Sequence, residues 1–355
     1  MDAALSELRE RIVAANGTKT PLRLRGAGTK DFYGETLAGE ILDTRRYRGI
    51  VDYEPSELVI TARCGTPLSE IERALAERDQ CLACEPPRFA GDPTLGGVVA
   101  AGLSGPRRAT AGAVRDFALG ATLVSASGEL LRFGGRVMKN VAGFDVSRLL
   151  CGSLGILGLI AEVSLKVLPR PRAQTTLVFE LDLPTAIERF NRWSAQPLPV
   201  SATAWHEGAA YLRLSGARSA LAAAREVVGG ESMAQDAADA WWSALRDQTH
   251  AFFGGGRRLW RLSLPSTAPH VDAAFAGPVL VEWAGALRWV ASDESAERIR
   301  AAVSALGGTA AQWRGARAST MFHPLADAAL TLHRRLKREF DPRGIFNPGR
   351  LVAGL

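Results

Sequence analysis

Apolar residues recur at helical spacing over residues 2–15, where Leu5, Leu8, Ile12 and Val13 share a face with Glu and Arg between them. The period then shortens. Pro21-Leu22-Arg23-Leu24-Arg25 alternates apolar and charged positions like a half-buried strand and stops at Gly26. Residues 58–62 read as a second strand. Thr66-Pro67 predicts a helix start, with threonine as N-cap and proline at the first helical position, running to about Arg78. Residues 119–124 and 130–133 predict a hairpin around Ser127-Gly128, and residues 159–167 a long strand.

Pro169-Arg170-Pro171 interrupts this pattern and marks a domain boundary. Beyond it the chain predicts a strand at 175–181, a helix at 184–194 with Ile187 and Phe190 on one face, a strand at 209–214 and an alanine-rich helix at 219–228. Strands at 259–264, 279–283 and 287–290 and a helix at 295–306 suggest a second copy of the same α+β idea, without a convincing sequence repeat. Residues 325–340 form a last amphipathic helix, followed by Asp341-Pro342-Arg343-Gly344-Ile345-Phe346-Asn347-Pro348-Gly349-Arg350.

The length of 355 residues exceeds one small core, so two domains are expected. Hydrophobic residues make up 47% of the chain, which fits a globular protein rather than a disordered one. No apolar run reaches the roughly 18 residues of a membrane span, and Met1-Asp2-Ala3-Ala4 lacks the basic-then-apolar layout of a signal peptide. The expected compartment is the cytoplasm. The net charge of +6 is spread along the chain and forms no basic stripe with interleaved aromatics, so nucleic acid is not an expected partner. It leaves room for an anionic substrate or the inner membrane surface, beside the plainer reading of a solvated surface. Cys81-Leu82-Ala83-Cys84 has C-x-x-C spacing, but only Cys64 and Cys151 remain as further thiols and the first histidine is His206. A four-ligand metal or cluster site is therefore not expected.

Glycine carries the chemical signal. Arg25-Gly26-Ala27-Gly28-Thr29-Lys30 follows a strand. Asp92-Pro93-Thr94-Leu95-Gly96-Gly97, Ala101-Gly102, Gly112 and Gly152-Ser153-Leu154-Gly155-Ile156-Leu157-Gly158 come later. Such density in an apolar setting implies close approach of backbone to a ligand. A Rossmann fingerprint fails because Asp31 stands where the third glycine belongs, and a Walker loop fails because Thr29-Lys30 is in the wrong order. What remains is two loops whose backbone N–H groups can cradle phosphate oxygens, with Thr29 adding a hydroxyl and Arg25 and Lys30 positive charge.

These pieces resemble the FAD-binding domain shared by vanillyl-alcohol oxidases and para-cresol methylhydroxylases. The similarity rests on Arg25–Thr29, Asp92–Gly97, Val114-Arg115-Asp116-Phe117-Ala118-Leu119-Gly120, Gly152–Gly158 and Phe346-Asn347-Pro348-Gly349. Val137-Met138-Lys139-Asn140-Val141-Ala142-Gly143-Phe144-Asp145 and Ser147-Arg148-Leu149 resemble the glycolate oxidase branch, and the short length with Leu165–Pro171 is similar to its FAD-binding E subunits. The resemblance implies an α+β fold: an FAD-binding domain at 1–170, a smaller cap domain at 171–315, and a segment at 316–355 packing back on the first. It implies that Arg25, Gly26, Ala27, Gly28, Thr29 and Lys30, with Thr94, Leu95, Gly96 and Gly97, wrap the FAD pyrophosphate, and that Pro93 and Gly102 also belong to the cofactor-binding set. Gly112, Arg115 and Asp116 are expected against the cofactor, and Gly152, Ser153, Gly155, Ile156, Gly158 and Ile160 on its adenosine side. With no histidine before His206, a histidyl–flavin link in this domain is ruled out. Cys64 and Cys151 remain as formal attachment points, but dissociable FAD is expected.

No catalytic residue is identified. Relatives that oxidise substrate carry a histidine-rich H-x-x-G-D-G-x-x-H metal site, and none of His206, His250, His270, His323 and His333 lies in one. Trp241-Trp242, Phe252-Phe253 and Trp260 read as core of the second domain, and Gly254-Gly255-Gly256 as a mobile loop. The resemblance implies a subunit of a glycolate-oxidising complex beside a larger flavoprotein subunit and an iron–sulfur subunit, associated with the membrane only peripherally. Two alternatives stay open: a free-standing FAD enzyme of another 2-hydroxy acid or a sugar lactone, and a scaffold subunit with weak or no FAD.

Overall fold

The computed structural model describes residues 2–135, 145–269, 277–317 and 319–355. Most of the segment Val137–Asp145 and His270 lie outside the described residues. The chain divides into two compact units, Met1–Leu103 with Ala113–Pro169 and Pro324–Leu355, and Ser104–Gly112 with Arg170–His323. Among the described residues, no helix is long and apolar enough to cross a membrane.

The first unit is built on a five-stranded antiparallel sheet in the order Ile50–Glu54, Val59–Arg63, Leu159–Lys166, Ala118–Val124, Leu130–Gly134. A separate parallel pair, Leu22–Arg25 with Glu40–Asp43, carries the first glycine loop at its end. Helix Ala3–Thr18 is capped by Asp2, whose carboxylate accepts from Ala4 N at 2.9 Å. Its buried stripe is Leu5, Leu8, Ile12 and Ala15, packed with Leu22, Leu42 and Phe346. Val13 does not belong to that stripe. One residue past Ile12 is about 100° around the helix, and Val13 is 48% exposed.

The expected threonine cap of the next helix is also corrected. The helix is Leu68–Ala76, with Pro67 at the N-cap position. The Thr66 hydroxyl is spent on Gly49, accepting from its N–H at 2.9 Å and donating to its carbonyl at 3.2 Å. Asp92 satisfies the helix start from a distant loop, accepting from Ser69 N at 3.0 Å and from Ser69 Oγ at 2.5 Å. Leu68 N donates to the Pro93 carbonyl at 2.8 Å. The Asp92-Pro93 segment is thereby tied to this helix.

The second unit is one eight-stranded antiparallel sheet with a palindromic strand order. Ala173–Glu180, Val200–His206, Ala209–Gly216 and Glu231–Ser232 lie in the order four-one-three-two. Leu259–Ser263, Val279–Glu282, Leu287–Ala291 and Thr309–Arg314 repeat it in reverse. Each half thus has the strand order of a ferredoxin-like β-α-β-β-α-β module, and the halves join where Val200–His206 pairs with Val279–Glu282. This is the second copy suspected from element spacing. Helices Leu183–Ser194 and Arg218–Val228 cover the first half through Phe190, Trp193 and Leu221. Helix Ala296–Ala305 covers the second through Ile299 and Val303. Trp242, Phe253 and Trp260 are buried, while Trp241 stacks on Tyr211 at 4.1 Å, so the aromatic group serves packing.

Candidate functional site

A cleft of about 890 Å³, including the space open to solvent, lies within the first unit. Three glycine-bearing segments and the chain's tail converge on it. Arg25, Gly26, Ala27, Gly28 and Lys30 come from the first loop, Thr94, Gly96 and Gly97 from the second, and Gly155, Gly158 and Ile160 from the third. Arg23, Asp31, Tyr33, Thr36, Thr44, Cys64, Asn347 and Arg350 complete the polar part of the lining.

The first loop meets the second through Gly26. A Cβ on Gly26 would stand 2.1 Å from Thr94 Oγ1, so only glycine permits the contact. Gly28 adopts φ +75°, a conformation costly for any side chain, and a Cβ there would strike the Arg25 guanidinium. Gly28 O closes the turn by accepting from Asp31 N at 3.0 Å. Among the described residues, the backbone N–H groups of Ala27, Gly28 and Thr29 have no acceptor. Three adjacent open amides on a tight turn are what an anion-binding nest requires.

The second loop works differently from the expected second nest. Leu95 N donates to Thr66 O at 2.9 Å and Gly96 N to Cys64 O at 2.8 Å, so these amides are already used. Gly96 is glycine because its Cβ would meet Cys64 Cβ at 2.8 Å. Gly97 has room, with Thr94 Oγ1 as its one near neighbour at 3.4 Å. Thr94 caps the short helix Leu95–Ala101.

Charge in the cleft is unbalanced. Four cationic side chains, Arg23, Arg25, Lys30 and Arg350, line it with one carboxylate, Asp31. Asp31 takes Arg23 Nη2 at 2.6 Å and Arg25 Nε at 2.9 Å. Arg350 fixes the turn that follows the first loop, donating to the carbonyls of Asp31 at 2.8 Å, Lys30 and Glu35 at 3.2 Å, and Tyr33. Asn347 joins the strand before the first loop to the third loop. Its Oδ1 accepts from Leu24 N at 2.8 Å and its Nδ2 donates to Leu154 O at 2.6 Å.

Cys64 is buried in the cleft floor. Burial pushes its thiol up to about 12, against the smaller opposing pull of a hydrogen bond with Thr44. It therefore stays protonated and is a poor nucleophile at neutral pH.

Apart from Thr29, whose open amide belongs to the turn that lines the cleft, the remaining expected site residues lie outside its lining. Thr29 has its hydroxyl 3.4 Å from Lys30 Nζ. Pro93 supports helix Leu68–Ala76, and Leu95 is 1% exposed core. Gly102 is glycine for packing, since a Cβ would stand 2.8 Å from Gly152 N. Gly152 has φ +86°, Ser153 Oγ accepts from Gly155 N at 3.4 Å, and Ile156 is buried. Gly112 falls in the second unit. Asp116 accepts from Ala113 N at 2.9 Å and from Arg148 Nη2 at 2.7 Å, which makes it a local clamp, and the Arg115 side chain is exposed. Sequence reasoning did not select Arg23, Thr44, Asn347 or Arg350. The tail motif, part of the family resemblance and expected to pack back on the first domain, was the available signal for Asn347 and Arg350.

The described histidines make local bonds. His206 Nδ1 faces Val279 O at 3.3 Å, His250 Nδ1 accepts from Phe252 N, His323 Nδ1 from Ala310 N, and His333 Nδ1 donates to Ala329 O. Among the described residues there is no group of three metal-ligating side chains.

Open amides, excess positive charge and an apolar floor fit the diphosphate and adenosine of FAD. The comparisons agree on that cofactor. The FAD binding domain family matches residues 4–134, and the C-terminal domain of FAD linked oxidases matches residues 289–351. Glycolate oxidase subunit GlcE of Escherichia coli is 46% identical over 348 residues, covering 98% of this chain and 97% of that protein. Glycolate oxidase subunit GlcD of Bacillus subtilis is 30% identical over 162 residues, 45% of this chain and 34% of that protein. A D-lactate dehydrogenase of Anaerostipes hadrus is 30% identical over 167 residues, 46% of this chain and 34% of that protein. An alkyldihydroxyacetonephosphate synthase structure superposes with a TM-score of 0.68 at 14% identity, over 98% of this chain and 76% of that one, which supports the fold. An FAD-dependent oxidoreductase fold, a glycine-lined cationic cleft and end-to-end similarity place the chain in the glycolate oxidase subunit GlcE family of FAD-linked oxidoreductases.

Proposed function

We propose that this chain is the FAD-binding subunit of a glycolate-oxidising complex, in which a larger flavoprotein subunit and an iron–sulfur subunit take part. The observation that carries the proposal is the cleft itself, with its open amides at Ala27–Thr29 and its cationic lining, in a chain similar from end to end to a glycolate oxidase subunit. The cytoplasm, with at most peripheral membrane contact through the complex, is the compartment proposed with it.

Ala27, Gly28 and Thr29 donate N–H groups to the diphosphate, and Arg25 and Lys30 add charge. Thr94 and Gly97, which line the same cleft, would hold it from the second loop. Gly155, Gly158 and Ile160 form the adenosine side. Bound FAD supplies the two-electron acceptor that oxidation of an alcohol requires. The chain's own contribution is to bind, orient and shield that group. Attachment is non-covalent. Histidine first occurs at His206, and the cysteine in the cleft holds its proton.

In this reading substrate oxidation falls to the larger subunit and an electron-carrying role to this chain. The test is the visible spectrum of the purified chain under anaerobic conditions, before and after glycolate. The expected result is a flavin spectrum unchanged by glycolate alone and bleached once the partner subunits are added. Bleaching of the isolated chain would contradict the relay role and favour a free-standing enzyme. A colourless chain that FAD cannot reconstitute would favour a scaffold.

A further inference from the structure

Helix Asp327–Phe340 is amphipathic and mostly exposed, yet it buries one lysine. Lys337 is 6% exposed, and its partner Asp341 is 2% exposed. Lys337 Nζ donates to Ile156 O at 2.7 Å, Asp341 Oδ2 at 2.7 Å and Phe346 O at 2.8 Å, which uses all three of its hydrogens. Asp341 accepts in turn from Ile345 N at 3.0 Å and Phe346 N at 2.8 Å. Burial pushes the Lys337 ammonium down in pKa, and the hydrogen bond and charge of Asp341 oppose that shift. A buried ion pair is weak evidence for stability by itself, because desolvation offsets the attraction. The informative feature is where the other two hydrogen bonds go.

They go to two segments that reach the cleft from far apart in the sequence, one mid-chain and one near its end. Ile156 lies inside the third loop, between Gly155 and Gly158, which line the cleft. Phe346 precedes Asn347, which also lines it and reaches back to Leu154 O in the same loop. Lys337 does not touch the cleft. It fixes the backbone on either side of it.

We propose that Lys337, with Asp341, is a positioning pair that latches the chain's tail to the third glycine loop and so sets the adenosine side of the FAD cleft. This rests on the FAD reading above. A ligand-sized gap between two loops is defined by their separation, and a buried ammonium bonded to one carbonyl from each holds that separation fixed. Removing it leaves two buried carbonyls without a donor, and these must move toward water.

The test uses Lys337→Met and Lys337→Met/Asp341→Asn in the full chain. The double variant has no buried unpaired charge and keeps one side-chain oxygen that accepts from either the Ile345 or the Phe346 amide, so it is the milder change and folds where the single variant fails. FAD titration followed by flavin fluorescence is expected to give at least a tenfold weaker Kd for the double variant. Amide hydrogen exchange without FAD is expected to speed up in residues 154–160 and 345–350, with the central strands 118–124 and 159–166 protected as in the parent beyond the shared positions 159 and 160. Combining it with Asn347→Ala is expected to be non-additive for FAD affinity, since both act through the same loop. A folded double variant with the parent Kd and parent exchange in both segments would overturn the proposal. Uniformly faster exchange across the sheet would also overturn it, since that marks a merely structural pair. If the parent chain takes up no FAD, the functional reading fails instead, and the exchange pattern still decides whether the latch exists.

Discussion

Gly26 shows how much of the site rests on single atoms. The 2.1 Å that would separate its Cβ from Thr94 Oγ1 leaves no room for alanine. Thr94 cannot swing away freely, because a β-branched side chain has few rotamers and this one caps helix Leu95–Ala101. Gly26→Ala is therefore expected to push the two loops apart at a cost of about 1–3 kcal/mol, typical of overpacking. FAD affinity measured by titration should fall by one to two orders of magnitude, with a smaller loss of melting temperature. Asn347→Ala removes two bridging hydrogen bonds and leaves Leu24 N and Leu154 O without their partner. We expect a loss of about 2–4 kcal/mol at the usual cost of unsatisfied buried groups, read by chemical denaturation of the apo-chain. Not every glycine is like Gly26. Gly26 and Gly28 were legible from sequence as parts of one glycine motif at a strand end, while the left-handed φ of Gly28 became visible only in the structure. Gly96 and Gly102 were read as facing a ligand; Gly96 lines the cleft, and both are also glycine because Cys64 and Gly152 pack on them. Composition cannot separate those two causes, since both ask for a missing Cβ.

At the level of elements, periodicity located most strands and helices but not what holds their ends. Thr66-Pro67 looked like a helix start, and the helix begins within two residues of it. The cap is supplied by Asp92, from the neighbouring loop, a long-range contact that no local pattern contains. Asp92→Ala is expected to cost about 1 kcal/mol, as loss of an N-cap does, and to lower the melting temperature by a few degrees. The second unit offers a pH test. Burial lowers the pKa of His250, with His206 beside it adding to the effect, and burial lowers that of His323, with Arg300 adding. Folding therefore disfavours the protonated form of both. Below the ordinary histidine value of 6.5 the unfolded chain takes up protons that the folded chain refuses, so stability is full above that pH and declines as pH falls through it. Thermal melts between pH 7.5 and 5.0 should show this loss. The variant His250→Asn should show less of it, and an unchanged slope would contradict the assignment.

Across the whole molecule, the first unit closes on itself through residues far apart in sequence. Strand Leu22–Arg25 is continued by the tail, with Leu22 N donating to Ile345 O at 2.7 Å and Asn347 N to Leu22 O at 2.8 Å. Arg350 and Lys337 then fix the first and third loops. The sequence made the tail visible as a motif without a local reason, and its reason is three-dimensional. The doubled ferredoxin-like order of the second unit was legible only as a repeated rhythm of strands and helices, because the two halves share topology without sharing residues. The central claim is that this chain holds one dissociable FAD in the cleft of its first unit. The most direct measurement is the flavin content of the purified chain, titrated with FAD and then precipitated with acid. We expect saturation at one FAD per chain and full release of the flavin into the supernatant. A chain that stays colourless throughout the titration, or one whose flavin remains with the precipitate, would contradict the account.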